Sequence, residues 1–128
     1  MALNFFQRRK ILKNLNYMDA TPVRCSDFKT SDDGIVTLVV PKFQNRKFND
    51  FMFRPSRRYF KISLDELGSA VWLSIDGQRN VAVICGKMLE IFGDEINPVE
   101  QRVTKFFTTL YEARYISFKE IEEKRNKS

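Results

Sequence analysis

The side chains able to do covalent chemistry are few, and the commonest of them is missing. The 128 residues include no histidine, which removes the usual general acid/base and the usual metal ligand. The two cysteines, Cys25 and Cys85, stand 60 positions apart and form no CxxC pair. They supply no structural zinc set, and neither has an imidazole base to turn it into a nucleophile. The carboxylate pairs Asp32-Asp33 and Glu122-Glu123 fall in a turn and in a charged tail, where solvation accounts for them. No Gly-rich loop of the kind that cradles phosphate is present. These residue types point away from catalysis. No catalytic residue, metal ligand or cofactor is assigned, and the expectation is a protein that binds and is not an enzyme.

Positive charge, by contrast, is abundant. There are 22 Lys+Arg against 16 Asp+Glu, a formal net charge of +6 and a pI near 9.5. The excess sits in the first half: residues 1–62 hold 13 basic and 5 acidic residues, and residues 63–128 hold 9 and 11. Such a bias suits nucleic acid, an acidic peptide or an anionic membrane surface. Hydrophobic residues make up 43% of the chain, with 12 Phe among them, enough to build a core within one domain of ordinary size. The sequence has neither a membrane-spanning apolar run nor a secretory signal pattern. The expected location is the cytoplasm, with reduced thiols.

The elements that must position these residues follow from periodicity. Residues 3–15, LNFFQRRKILKNL, predict a short amphipathic helix. Leu3, Phe6, the Ile11/Leu12 pair and Leu15 fall roughly on one stripe, and Arg8, Arg9, Lys10 and Lys13 fall elsewhere. Residues 23–29 and 35–40 predict an antiparallel pair around the Asp33-Gly34 turn. Residues 42–58 predict a basic insertion that carries Phe43, Phe48, Phe51 and Phe53. Residues 59–64 alternate and predict a third strand, with Phe60, Ile62 and Leu64 on one buried face.

The period then changes to that of a helix. Asp65 is a cap for a helix reaching about Ile75, with Leu67, Val71, Trp72 and Ile75 on its inner face. Asn80 caps a second helix, in which Val81, Ile84, Met88 and Phe92 (or Leu89 and Ile91) face the core. A third opens on Asn97-Pro98 with Glu100 at the third helical position, the pattern of a capping box. Its inward stripe is Val99, Val103, Phe106 and Leu110, which leaves Phe107 as exposed aromatic surface. Trp72 and Cys85 are core residues in this reading, and Cys25 is an inert thiol. The helix ends near Arg114, and residues 115–118 predict a short strand. The fold class expected is α+β: a winged-helix-like domain with a three-stranded antiparallel sheet followed by three helices, plus an N-terminal helix. The expected organisation is a basic amphipathic helix at 1–20, the domain at 21–118 with its insertion at 42–58, and a charged tail at 119–128.

The run from Lys61 to Phe118 resembles the PqqD family. Ile62 and Leu64 fill the family's strand step, residues 65–75 its first helix, and Asp76-Gly77 its signature turn. Val81, Ile84 and Met88 fill the second helix, and Val103, Phe106 and Leu110 the third. The likeness covers about residues 21–118. Three features depart from the pattern: the helix at 3–15 is extra, the insertion at 42–58 lengthens the link before the third strand, and Asn80 replaces the usual Thr.

The resemblance implies a small chaperone-like winged helix. Proteins of this kind bind the leader part of a ribosomally made precursor peptide and present it to a modifying enzyme, typically a radical S-adenosylmethionine maturase. It further implies that the peptide adds as a strand against the third strand and packs toward the third helix. On this chain that assigns Tyr59, Phe60, Lys61, Ile62 and Ser63 to the peptide-binding strand, and Arg102, Lys105, Phe106 and Thr109 to the helix. Lys61, Arg102 and Lys105 would complement an acidic, aliphatic leader, mainly through on-rate and specificity.

Two other readings remain at this level. A winged helix often binds DNA through its third helix, but here Asp94, Glu95 and Glu100 crowd the start of that helix, which is wrong for an element entering the major groove. No nucleic acid is therefore expected. Residues 3–15 suit peripheral membrane or partner contact as well as packing on the domain. Exposed edge strands leave the oligomeric state open.

Overall fold

The computed structural model describes residues 17–41 and 59–127. The predicted helix at 3–15 and the predicted insertion at 42–58 lie outside the described residues. The fold is α+β, with a three-stranded antiparallel sheet and several helices. In chain order the elements are β1 (Pro22–Arg24), β2 (Asp27–Thr30), β3 (Val36–Pro41), β4 (Tyr59–Ser63), α1 (Glu66–Ser74), α2 (Val81–Phe92), α3 (Val99–Glu112), β5 (Ile116–Phe118) and α4 (Lys119–Lys127). Turns of 3-10 helix lie at Tyr17–Asp19 and Gly93–Ile96. The chain forms two compact units: Ser26–Ala70, and the residues on either side of it.

In the unit Ser26–Ala70, the sheet order is β2-β3-β4. The β2–β3 turn closes as predicted: Gly34 takes φ 84°, a value glycine reaches without a Cβ penalty, and Gly34 N–H donates to Ser31 O at 3.0 Å. The pairing Phe28↔Leu38↔Ile62 puts these three on one face. On that face Val36 and Leu38 are fully buried and Ile62 half-buried, but Phe60 is 54% exposed. The expectation of a buried face along the whole of 59–64 is thus corrected at Phe60. It pairs with Val40, at the end of the ladder away from Val36. Asp65 caps α1 as expected, its Oδ1 accepting from Gly68 N–H at 2.6 Å. Ser69 Oγ accepts the buried N–H of Val36 at 2.8 Å, which gives the first residue of β3 a partner.

The other unit contains α2, α3, α4 and the two-stranded ribbon β1–β5. Asn80 caps α2, with its side chain accepting from Val83 N–H at 2.9 Å. Val81, Ile84, Cys85 and Met88 are buried, as the 3.6-residue period requires. Phe118 is buried and meets Tyr17 edge-on at 5.6 Å and Tyr111 at 5.4 Å between ring centroids. Two arginines serve the carbonyls at the end of α1. Arg24 donates to Trp72 O from Nε and Nη2 at 3.2 and 2.9 Å, and Arg79 Nη1 donates to Ser74 O at 3.1 Å. Cations are favourable at the C-terminal end of a helix, the negative end of its dipole.

Four sequence expectations are corrected here. The strand read at 23–29 is two strands: residues 22–24 pair with β5 and residues 27–30 with β3. The change of partner comes at Cys25, whose N–H goes to Tyr115 O at 2.9 Å. Side-chain alternation continues through that point and carries no record of it. The capping box does not form either. Asn97 N–H closes the preceding 3-10 turn on Asp94 O, so α3 begins one residue later, with Pro98 at the cap and no side chain to accept.

The inward aromatic of α3 is Phe107, fully buried, while Phe106 is only half-buried. The inner stripe runs Val99, Val103, Phe107, Leu110, Tyr111. Finally, Glu122 is not simply solvated: its Oε1 accepts from Ser117 Oγ at 2.8 Å. The segment from Lys119 is helical with Ile121 buried.

Candidate functional site

Strand β4 has a partner on one side only among the described residues, namely β3. The phase of that ladder decides which backbone groups are spent on it. Leu64 N–H donates to Val36 O at 2.9 Å, in the same register that pairs Thr37↔Ser63 and Leu38↔Ile62. In an antiparallel pair, hydrogen-bonded and non-hydrogen-bonded residues alternate. Ile62 and Phe60 therefore turn their N–H and C=O to β3, and Tyr59, Lys61 and Ser63 turn theirs outward. An edge of this kind is a template for another extended chain.

The side chains alternate with the backbone groups. Tyr59 (43% exposed), Lys61 and Ser63 lie on one face of the strand, with Ser63 Oγ and Thr37 Oγ1 3.3 Å apart across the ladder. Phe60 and Ile62 lie on the other. A strand added to β4 would meet a polar, cationic face and an aromatic, aliphatic one in turn.

The helix residues form a second group. Arg102, Lys105, Phe106 and Thr109 follow at i, i+3, i+4 and i+7 on α3, which puts them on one face. Arg102, Lys105 and Thr109 are exposed. Arg102 Nη1 reaches Glu95 O at 3.4 Å, and Thr109 Oγ1 donates to Lys105 O at 2.9 Å. That use of its proton leaves the Thr109 hydroxyl as an acceptor. Phe106 borders the buried stripe and holds its ring 6.1 Å from that of Phe107. The strand residues belong to the unit Ser26–Ala70 and the helix residues to the other. Each group is coherent within its own unit.

The sheet has a second edge that the sequence reading did not single out. Ser31 N–H donates to Ile35 O at 2.9 Å, so the backbone of Asp27 and Lys29 faces β3 and that of Phe28 and Thr30 faces away. The Asp-Gly turn announces the β2–β3 hairpin, but only the ladder phase says which residues line its outer side.

Neither thiol is among the residues of these surfaces. Cys25 on the ribbon and the buried Cys85 on α2 are both pushed up from the ordinary thiol range, chiefly by desolvation. A protonated thiol is a poor nucleophile. Among the described residues, no group of three His, Cys, Asp or Glu is placed to hold a metal ion. Likewise no described helix is long and apolar enough to cross a membrane.

The family model described as coenzyme PQQ synthesis protein D (PqqD) matches residues 52–116. The match takes in β4, α1, α2, α3 and the start of β5, half of the chain, and the protein belongs to that family. Comparison with curated proteins and with solved structures gave no match.

Proposed function

We propose that this PqqD-family protein is a non-catalytic, winged-helix-like peptide-recognition module of the cytoplasm. It binds the leader segment of a precursor peptide and presents it to a modifying enzyme, a radical S-adenosylmethionine maturase. The observation that carries the reading is the edge of β4, inside the matched region 52–116. There the outward backbone groups of Tyr59, Lys61 and Ser63 can pair with an extended peptide, and the alternating faces supply side-chain specificity. Lys61 favours an acidic residue on one face, and Phe60 with Ile62 an aliphatic one on the other. Arg102, Lys105, Phe106 and Thr109 are a second surface of matching chemistry on α3.

Amide shifts test both surfaces. The probe is a synthetic peptide alternating Glu with Leu or Ile, titrated into the full isotopically labelled chain. The expected result is the largest shifts at Tyr59, Lys61 and Ser63, smaller ones at Phe60 and Ile62, and a second set at Arg102, Lys105, Phe106 and Thr109. Shifts absent from both 59–64 and 99–110 overturn the proposal.

A further inference from the structure

Among the described residues, the large apolar side chains left exposed in the unit Ser26–Ala70 are Tyr59 (43%) and Phe60 (54%). They are neighbours on β4, so they stand on opposite faces of the strand. Phe60 shares its face with the buried Val36 and Leu38, but it lies at the open end, beside Val40. Its backbone is spent on β3, and the outward groups belong to Tyr59 and Lys61 on either side of it. Edges are usually protected by charge, proline or a bulge. The one charge on this strand is Lys61, and it discourages only one way of pairing.

We infer that two copies of this chain pair through β4, antiparallel about a two-fold axis at Phe60. Antiparallel pairing of a strand with itself is isologous, so the residue on the axis defines the register. With Phe60 there, Tyr59 of each copy faces Lys61 of the other, and each such pair exchanges both of its backbone bonds. Phe60 meets Phe60 of the second copy at a non-hydrogen-bonded position, where Cα atoms approach to about 4.5 Å and side chains are closest. The ring pair withdraws from water the aromatic surface that β3 leaves open. Tyr59 and the facing Lys61 share the other face of the joined sheet, within reach of a cation–π contact.

The neighbouring registers are poorer. An axis at Lys61 sets that residue directly against its own copy, and like charges opposite one another destabilise a ladder. An axis at Ile62 brings together side chains already half-buried on their own sheet. It also carries Tyr59 to Asp65, whose carboxylate is engaged in capping α1. Lys61 thus selects the register centred on Phe60. The joined sheet runs β2-β3-β4-β4-β3-β2. A ladder limited to Tyr59, Phe60 and Lys61 buries far less than a standard interface, so the pair is transient and forms at high concentration. Under the peptide-binding reading, on which this consequence alone rests, the pair is the resting form that a leader peptide displaces.

The test uses the full chain alone and is independent of the peptide titration. Sedimentation over a concentration series is expected to show the mass rising from monomer toward dimer, with the Tyr59 and Lys61 amides shifting along the same series. In a mixture of isotope-labelled and unlabelled protein, an isotope-filtered NOE is expected between Phe60 rings of different copies. Phe60→Lys, at an exposed site, sets like charges on the axis and abolishes the association. Lys61→Pro, which keeps the ring and removes an outward donor, abolishes it as well. A mass that stays monomeric up to the solubility limit overturns the inference. So does association that either folded variant leaves unchanged, an NOE joining Lys61 to Lys61, or contact between copies at the exposed Val83 and Ile91 of α2 in place of β4. Pairing through Phe60 together with absent peptide shifts supports the inference and overturns the proposed function.

Discussion

Lys61 stands opposite Val39 at a position where the β3–β4 ladder makes no hydrogen bond, while its neighbour Ile62, opposite Leu38, makes two. The same substitution at adjacent residues therefore separates fold from function. Ile62→Pro removes a ladder donor and is expected to cost about 1–3 kcal/mol. Lys61→Pro removes only an outward N–H and should stay within about 1 kcal/mol of the parent. Denaturant titration checks the order. Peptide titration should then show binding lost in Lys61→Pro, although that variant is folded.

The strand at 59–63 was legible in the sequence from its period of two, whereas the use of its edge came from the family resemblance and the outward residues from the phase of the ladder. The pairing of residues 27–30 with β3 was legible too, but the pairing of residues 22–24 with β5 was not. Alternation reports which face a side chain occupies, and it is unchanged when the chain trades one neighbour for another, as at Cys25. The two helix starts differ in the same way. Asn80 has no competing use for its side chain and caps α2. Asn97 carries the better local signature, but its backbone is taken by the turn before it. A capping motif states what the residues can do, and the preceding chain decides whether they are free to do it.

The caps give a paired prediction. Asn80→Ala should cost about 1 kcal/mol, because Val83 N–H loses its acceptor. Asn97→Ala should fall within about 0.5 kcal/mol of the parent, since no side-chain bond at the start of α3 depends on it. Equal losses at the two sites would mean that a capping box forms at Asn97 after all. Thermal unfolding of the two variants at matched concentration is sufficient.

Asp76 gives an acid-sensitive turn. Its Oδ1 accepts from Arg79 N–H at 2.8 Å and from Gln78 N–H at 2.9 Å. Those backbone bonds, with the Arg79 side chain 3.6 Å away, hold the carboxyl below the usual aspartate range. A depressed folded value means that the stabilisation is present above the unfolded value, about 3.9, and is lost as pH falls through the folded one. The expected outcome for Asp76→Asn is a stability deficit at neutral pH that shrinks below about pH 4. A deficit independent of pH would show that the charge at Asp76 contributes nothing and that the turn depends on geometry alone.

The adjacent phenylalanines of α3 carry the sharpest contrast. From Val99 the residue seven places on is Phe106 and the residue eight places on is Phe107, and both spacings suit one side of a helix. Periodicity alone favours neither. The structure buries Phe107 fully and leaves Phe106 half-exposed, because the stripe through Val99 and Val103 continues to Phe107 and Tyr111 by steps of four. Phe107→Ala empties a buried ring site and should cost about 3–5 kcal/mol. Phe106→Ala removes a ring already half in water and should cost below about 1.5 kcal/mol. Under the peptide-binding proposal the roles reverse in a binding assay: Phe106→Ala weakens the Glu/Leu peptide while the domain remains folded. Chemical denaturation and peptide titration on the same two variants decide both points, and a larger folding loss for Phe106→Ala would mean that the register of the α3 stripe is wrong.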